Sequence, residues 1–222
     1  MHSPIFAFDF SMNKPAMCSL VDNNLKFYFW PTDIDKDSAG KYANVYVNIT
    51  CRNLPPMKDS EYDESSLIVE HVTRAKELAS TIANIITSEL EFYECKPEDA
   101  IIANEGFAFA ARGDAALDLS GYKYILMERL IREGFKNFKT YSPITIKATA
   151  GCAKRGLGKD AMIEAFREKG PTLLHPFIAY MSESPEFFKK KTAYIKGIDD
   201  LVDAYWCLKT CIIKENISCL LS

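Results

Sequence analysis

The sequence predicts an α/β domain: a mixed five-stranded sheet covered by helices. Three observations predict it. Three short apolar stretches follow one another at the N-terminus with turn residues between them, which reads as an antiparallel meander. Helical and strand patterns then alternate, which calls for a sheet with helices packed on it. Finally, 222 residues of 48% hydrophobic composition are enough to bury a core in one domain without staples. The expected organisation is a single domain over 1–222, carrying an acidic insertion or long loop at about 31–66.

Pro4 to Phe10 (PIFAFDF) is apolar and aromatic apart from Asp9, and reads as a buried strand with Asp9 near its end. Ala16 to Val21 is the second strand, after the turn residues Asn13-Lys14-Pro15. Asp22-Asn23-Asn24 is a turn, and Leu25 to Trp30 is the third strand. Pro31 to Ser66 is polar and acidic, with Pro55-Pro56 and Gly40, and Tyr42 to Thr50 is the one strand-like run in it. A stretch of that length with little pattern is usually a functional loop or an insertion.

From Leu67 to Phe92, Ile68, Val72, Ala75, Ala79, Ile82, Ile86 and Leu90 recur at helical spacing, with Ser65 or Ser66 as the cap. Ala100 to Ala103 is a fourth strand that runs into Asn104 and Glu105. Ala115 to Glu133 is a second helix stopped by Gly134, since glycine suits the left-handed turn past a helix end. Phe138 to Ser142 is a fifth strand stopped by Pro143. Lys159 to Lys169 and Ile198 to Ile213 complete the helices.

The formal net charge is −3, from 27 basic and 30 acidic residues, which speaks against a generic polyanion binder. The charge is uneven, however. Pro31 to Glu105 holds 7 basic and 15 acidic residues, whereas Lys123 to Lys159 holds 9 basic and 2 acidic. The basic block is either a solvated face or the footprint of a polyanion. Seven cysteines, an odd number with no C-x-x-C pair, read as reduced thiols rather than a zinc site. No run approaches the ~18 apolar residues of a membrane span and no leader pattern is present, so the expectation is a soluble, cytoplasmic protein without membrane contact.

Acidic residues stand in unusual places. Asp9 lies inside an apolar strand, Glu105 at the end of another, and Asp200 and Asp203 at the start of an amphipathic helix. A carboxylate in a buried strand is costly unless it is paired or binds a cation. Asp200 and Asp203, three residues apart, share a helical face, and Asp199 can take the place of Asp200. Oxygen donors without histidine or cysteine suit Mg²⁺ or Mn²⁺ rather than Zn²⁺.

With these residues in view, the chain resembles the RuvC family of Holliday junction resolvases, of the RNase H-like superfamily, and within it the divergent forms of bacteriophages and other large DNA viruses. Four passages carry the resemblance. Phe6-Ala7-Phe8-Asp9-Phe10-Ser11 is similar to the first strand with its catalytic aspartate. Ile101 to Phe107 is similar to the strand ending in the catalytic glutamate. Ser142 to Lys147, with Gly151 and Lys159-Asp160-Ala161-Met162, is similar to the basic segment in which two lysines serve DNA binding and catalysis. Asp199 to Trp206 resembles the D-x-x-D-A helix. The glycine usual after the first aspartate is missing, with Ser11-Met12-Asn13-Lys14 in its place.

The resemblance implies an RNase H-like fold and a magnesium-dependent endonuclease that resolves four-way junctions by paired nicks. It implies Asp9, Glu105, Asp200 and Asp203 as catalytic ligands of two Mg²⁺ ions, with Mn²⁺ as a substitute. Lys147 and Lys159 would serve catalysis and DNA binding, with Lys154, Arg155 and Phe107 as further DNA contacts. Phe107 and Phe109 fit either base stacking or the core. A homodimer matches the two-fold symmetry of a junction, and the helix from Ala115 to Glu133 is its candidate interface. For a viral form the setting would be a bacterial host's cytoplasm. Alternatives are a superfamily nuclease acting on flaps or RNA–DNA hybrids, and a branched-DNA binder with weak cleavage. An actin-like ATPase fits poorly, since the chain is short for two domains and lacks Asp-x-Gly after the first strand.

Overall fold

A computed structural model describes residues 3–11, 14–30, 49–51, 64–106, 114–154, 157–170 and 198–219. The chain begins with a meander of β1 (Ile5–Asp9), β2 (Ala16–Val21) and β3 (Asn24–Phe29). Asp22 and Asn23 both take positive φ, 48° and 61°, so a tight two-residue turn joins β2 to β3. That hand of turn matches the twist of paired strands, and Asn and Asp tolerate it well.

A short strand β4 (Ile49–Cys51) follows, then the long helix α1 (Glu64–Phe92) and β5 (Ile101–Glu105). Helix α2 (Asp114–Arg132) leads to β6 (Asn137–Tyr141), and α3 (Pro143–Thr149), α4 (Lys159–Lys169) and α5 (Ile198–Lys214) complete the order. The strands lie in the order β4-β3-β2-β1-β5-β6. β1 pairs antiparallel with β2 and parallel with β5, and β5 is parallel to β6. The five predicted strands thus form the body of a mixed sheet, in the order β3-β2-β1-β5-β6. β4 adds a sixth, parallel to β3, at one margin.

Two local expectations change. The long helix starts at Glu64, so Ser65 and Ser66 lie within its first turn rather than capping it. Pro143 ends the strand as expected, but it also opens a helix that the sequence reading passed over. Ser142 has extended backbone and its hydroxyl accepts from the Thr145 N–H, while proline at the first helical position gives up only an amide that needs no partner there. Of the strand-like run at Tyr42 to Thr50, residues 42–48 lie outside the described residues, and Ile49–Cys51 is a strand.

The sheet is buried on both faces. Ile5 and Ala7 of β1 face a core built with Phe27, Phe29, Phe166 and the apolar side of α5. Phe6 and Phe8 face the other core, under α1 and α2. Trp206 of α5 donates from Nε1 to the Met162 carbonyl of α4 at 3.1 Å, and the Tyr205 and Phe166 rings meet edge to face at 4.8 Å. These contacts lock α4 beside the first turns of α5. No helix among the described residues is long and apolar enough to cross a membrane.

Candidate active site

Strand pleating aims the carboxylates. Side chains alternate across a strand, so Asp9 shares the α5 side of β1 with Ile5 and Ala7. Glu105 shares that side of β5 with Ile101 and Ala103 by the same alternation. Both residues end their strands, and the strands run parallel. The first turn of α5 brings Asp199 and Asp200, and Asp203 follows.

The carboxyls are close enough to feel one another's charge. Burial pushes the Asp9 carboxyl well above the ordinary carboxylate value, and the charges of Asp203, Asp200 and Glu105 push it further, against Lys159. Burial raises Asp203 to about 7, with Glu105, Asp199 and Asp200 adding to it and Lys159 opposing. Asp200 is raised to about 6, first by burial and then by Asp199. Burial also raises Glu105, held back by Lys147, Lys123 and Lys159. Four carboxyl groups from three elements therefore repel one another in a poorly hydrated place.

Among the described residues, Lys159 at the start of α4 is the nearest counter-charge. Its Nζ stands 2.6 Å from Asp199, 3.7 Å from Asp200 and 4.0 Å from Asp203. Burial disfavours its charge, but Asp199, then Asp200 and Asp203, outweigh that and raise its proton affinity. The geometry also separates the two neighbouring aspartates. Asp200 is buried and among the charges felt by Asp9, whereas Asp199 is half-buried and hydrogen-bonded to Lys159.

The donor set fits a hard divalent cation: carboxylate oxygens only, gathered where ionising all of them is unfavourable. Among the described residues, no three acidic, histidine or cysteine side chains are drawn around one point, so the cluster as it stands is organised on a lysine ammonium.

Other predicted residues fall into place unevenly. Lys147 lies in the last turn of α3, close enough to hold down the proton affinity of Glu105. Lys154 is exposed. Phe107, Phe109 and Arg155 lie outside the described residues. The sequence reading missed Lys123, a buried lysine of α2 whose Nζ donates to the Glu105 carbonyl at 2.7 Å. A signal was present, because Lys123 precedes Leu126 and Leu130 at helical spacing and so lies on the apolar stripe.

The end of β5 is held from several sides. Asn104 is buried, donates from Nδ2 to the Lys139 carbonyl at 3.0 Å, and accepts from the Thr140 hydroxyl at 3.2 Å. The Gly106 N–H donates to the Tyr141 carbonyl at 2.8 Å. A Cβ on Gly106 would lie 3.1 Å from Thr140 Cγ2, so the close approach to β6 suits glycine.

No protein-family model and no curated protein matches the sequence. Among solved structures, the chain is similar to Thermus thermophilus RuvC in complex with a Holliday junction substrate, at 8% identity and a TM-score of 0.48, over 98% of this chain and 99% of that one. It is also similar to a Thermus thermophilus RuvC structure at 10% identity and a TM-score of 0.45, over 97% and 98% of the two chains.

Proposed function

We propose that this protein is a metal-dependent endonuclease that hydrolyses phosphodiester bonds in branched DNA, with a four-way junction as its preferred substrate. The observation that supports the reading is the placement of Asp9 and Glu105 at the ends of two parallel strands, with Asp200 and Asp203 in the first turns of the helix packed on them. Such a cluster is a poor structural device, because buried like charges destabilise a fold unless something positive joins them.

Asp9, Glu105, Asp200 and Asp203 would hold a pair of Mg²⁺ ions, with Mn²⁺ as a substitute. Divalent ions bound there stabilise charge on the phosphate and activate water. The chain's own residues do the rest. Asp9 on the central strand gives the cluster a fixed origin, and the helix start at Asp200 adds partial positive charge from its free amides. Lys159 keeps its proton beside the aspartates, and the positive charge of Lys147 opposes that of the Glu105 carboxylate. Both are then available to phosphate oxygens, where they give affinity and salt dependence rather than sequence choice. A homodimer would set two such sites against the two-fold symmetry of a junction.

The test compares a four-way junction, a flap, an RNA–DNA hybrid and plain duplex with Mg²⁺ present, for wild type and Glu105→Gln. The expected result is paired nicks in the junction by wild type, with Glu105→Gln binding the junction but not cutting it. Preference for the flap or hybrid would move the substrate within the same chemistry. Binding without cleavage by wild type would leave a branched-DNA binder.

A further inference from the structure

Behind the carboxylates lies a charged side chain that this chemistry leaves unused. Lys123 is in the middle of α2, beside Tyr122 and one turn before Leu126, both core residues, and only 6% of it is exposed. A lysine in such a position loses most of its hydration and persists only with a specific partner. One partner is the backbone carbonyl of Glu105, 2.7 Å from Nζ and 18 residues away in sequence.

The same peptide unit is held at its other end. Its N–H, that of Gly106, donates to the Tyr141 carbonyl on β6 at 2.8 Å. The Glu105–Gly106 peptide is therefore gripped between α2 and β6, at the last point before residues 107–113. Gly106 makes the approach to β6 easy, because any side chain there would press on Thr140. Rotation of this peptide would swing the Glu105 side chain along with the end of β5. The Lys123 charge also counters that of the Glu105 carboxylate.

We propose that Lys123 is a positioning residue: its ammonium clamps the Glu105–Gly106 peptide and so sets where the Glu105 carboxylate stands relative to Asp9 and Asp203. Its bearing on catalysis rests on the nuclease reading, whereas the clamp does not. A simple anchor of α2 to the sheet would need only an apolar side chain at this position. A clamp needs the ammonium.

The experiment compares wild type, Lys123→Met, which keeps length and removes the donor, and Lys123→Arg, which keeps a donor. Three quantities are read: amide exchange at Gly106, Mg²⁺ affinity by calorimetry, and junction binding and cleavage. For Lys123→Met, Gly106 exchange should quicken, Mg²⁺ binding should weaken about tenfold, and kcat should fall about 100-fold, the range for loss of a group that orients a ligand. Junction affinity should stay within about twofold, because Lys123 is too buried to reach DNA. Lys123→Arg should retain slow Gly106 exchange and most of the Mg²⁺ affinity.

Unchanged Gly106 exchange and Mg²⁺ affinity in a folded Lys123→Met protein would overturn the proposal. So would a lowered Tm with undiminished kcat, the mark of an anchor. Should Lys123→Met fail to fold, Lys123→Arg decides: slow Gly106 exchange alongside a 100-fold loss of kcat would refute the clamp. If wild type cuts no substrate, the nuclease reading fails, while the exchange and calorimetry arms still judge the clamp.

Discussion

Replacing Asp203 by asparagine should make the metal-free protein more stable at alkaline pH while removing its activity. Asp203 is raised from 3.8 to about 7, chiefly by burial and then by its acidic neighbours. Each tenfold in proton affinity is worth about 1.4 kcal/mol, so holding Asp203 ionised in the fold costs on the order of 4 kcal/mol at most. Asparagine keeps the size, removes that cost and eases Asp9, but forfeits the 4.0 Å pairing with Lys159. The net gain should be about 1–3 kcal/mol, or roughly 2–10 °C in Tm for a chain of this length.

The pH dependence fixes the sign. The folded state binds the extra proton between 3.8 and about 7, so wild-type stability falls as pH climbs through that window and levels off above it. The advantage of Asp203→Asn should therefore be full near pH 8 and vanish toward pH 4, in thermal scans with a chelator present. Mg²⁺ should raise the wild-type Tm and raise that of the variant less, since an ion that binds only the folded state stabilises it by mass action. A variant less stable than wild type near pH 8, or a gap independent of pH, would refute the idea that these carboxyls repel one another across a shared site.

Three further outcomes follow from the geometry. Gly106→Ala should cost about 1 kcal/mol of stability and lower cleavage at least tenfold, because the new Cβ presses on Thr140 and shifts the end of β5; chemical denaturation and single-turnover cleavage read the two effects. Lys159→Met should cut kcat by about 100-fold and lower the Tm most when Mg²⁺ is absent, because the ammonium is then the counter-charge for Asp199, Asp200 and Asp203. Glu89→Ala should destabilise by about 2–3 kcal/mol while leaving kcat unchanged. Its buried carboxylate accepts from the Ser19 and Tyr28 hydroxyls and pairs with Lys26 at 3.2 Å, in the core opposite α5.

Much of this arrangement was legible in the sequence because its signals are local. An aspartate inside an apolar strand and a glutamate at the end of another are visible without a fold, and the turn at Asp22-Asn23 announces the meander. The register of β1 against β5, which puts Asp9 and Glu105 on one face, follows once the strands are paired. The choice between Asp199 and Asp200 was not legible. How each meets Lys159 depends on where α4 docks, and the Trp206 and Phe166 contacts that hold α4 there are long-range. Helix α3 was hidden by Pro143, a residue that ends one element and starts another. Lys123 was passed over as one more charge in a basic block, and only packing separates it from exposed neighbours such as Tyr124 and Lys154.

Among the described residues, the sheet ends at one margin on the short strand β4. Among the described residues, β4 pairs with β3 opposite Phe27, Tyr28 and Phe29. A strand left bare in that stretch would display free amides and carbonyls beside three aromatic residues, a ready template for another chain. Excising the segment that contains Ile49–Cys51 should therefore yield a protein that keeps its fold but self-associates as concentration rises. On that view the short strand's service is colloidal, keeping neighbouring molecules apart while the chemistry proceeds elsewhere.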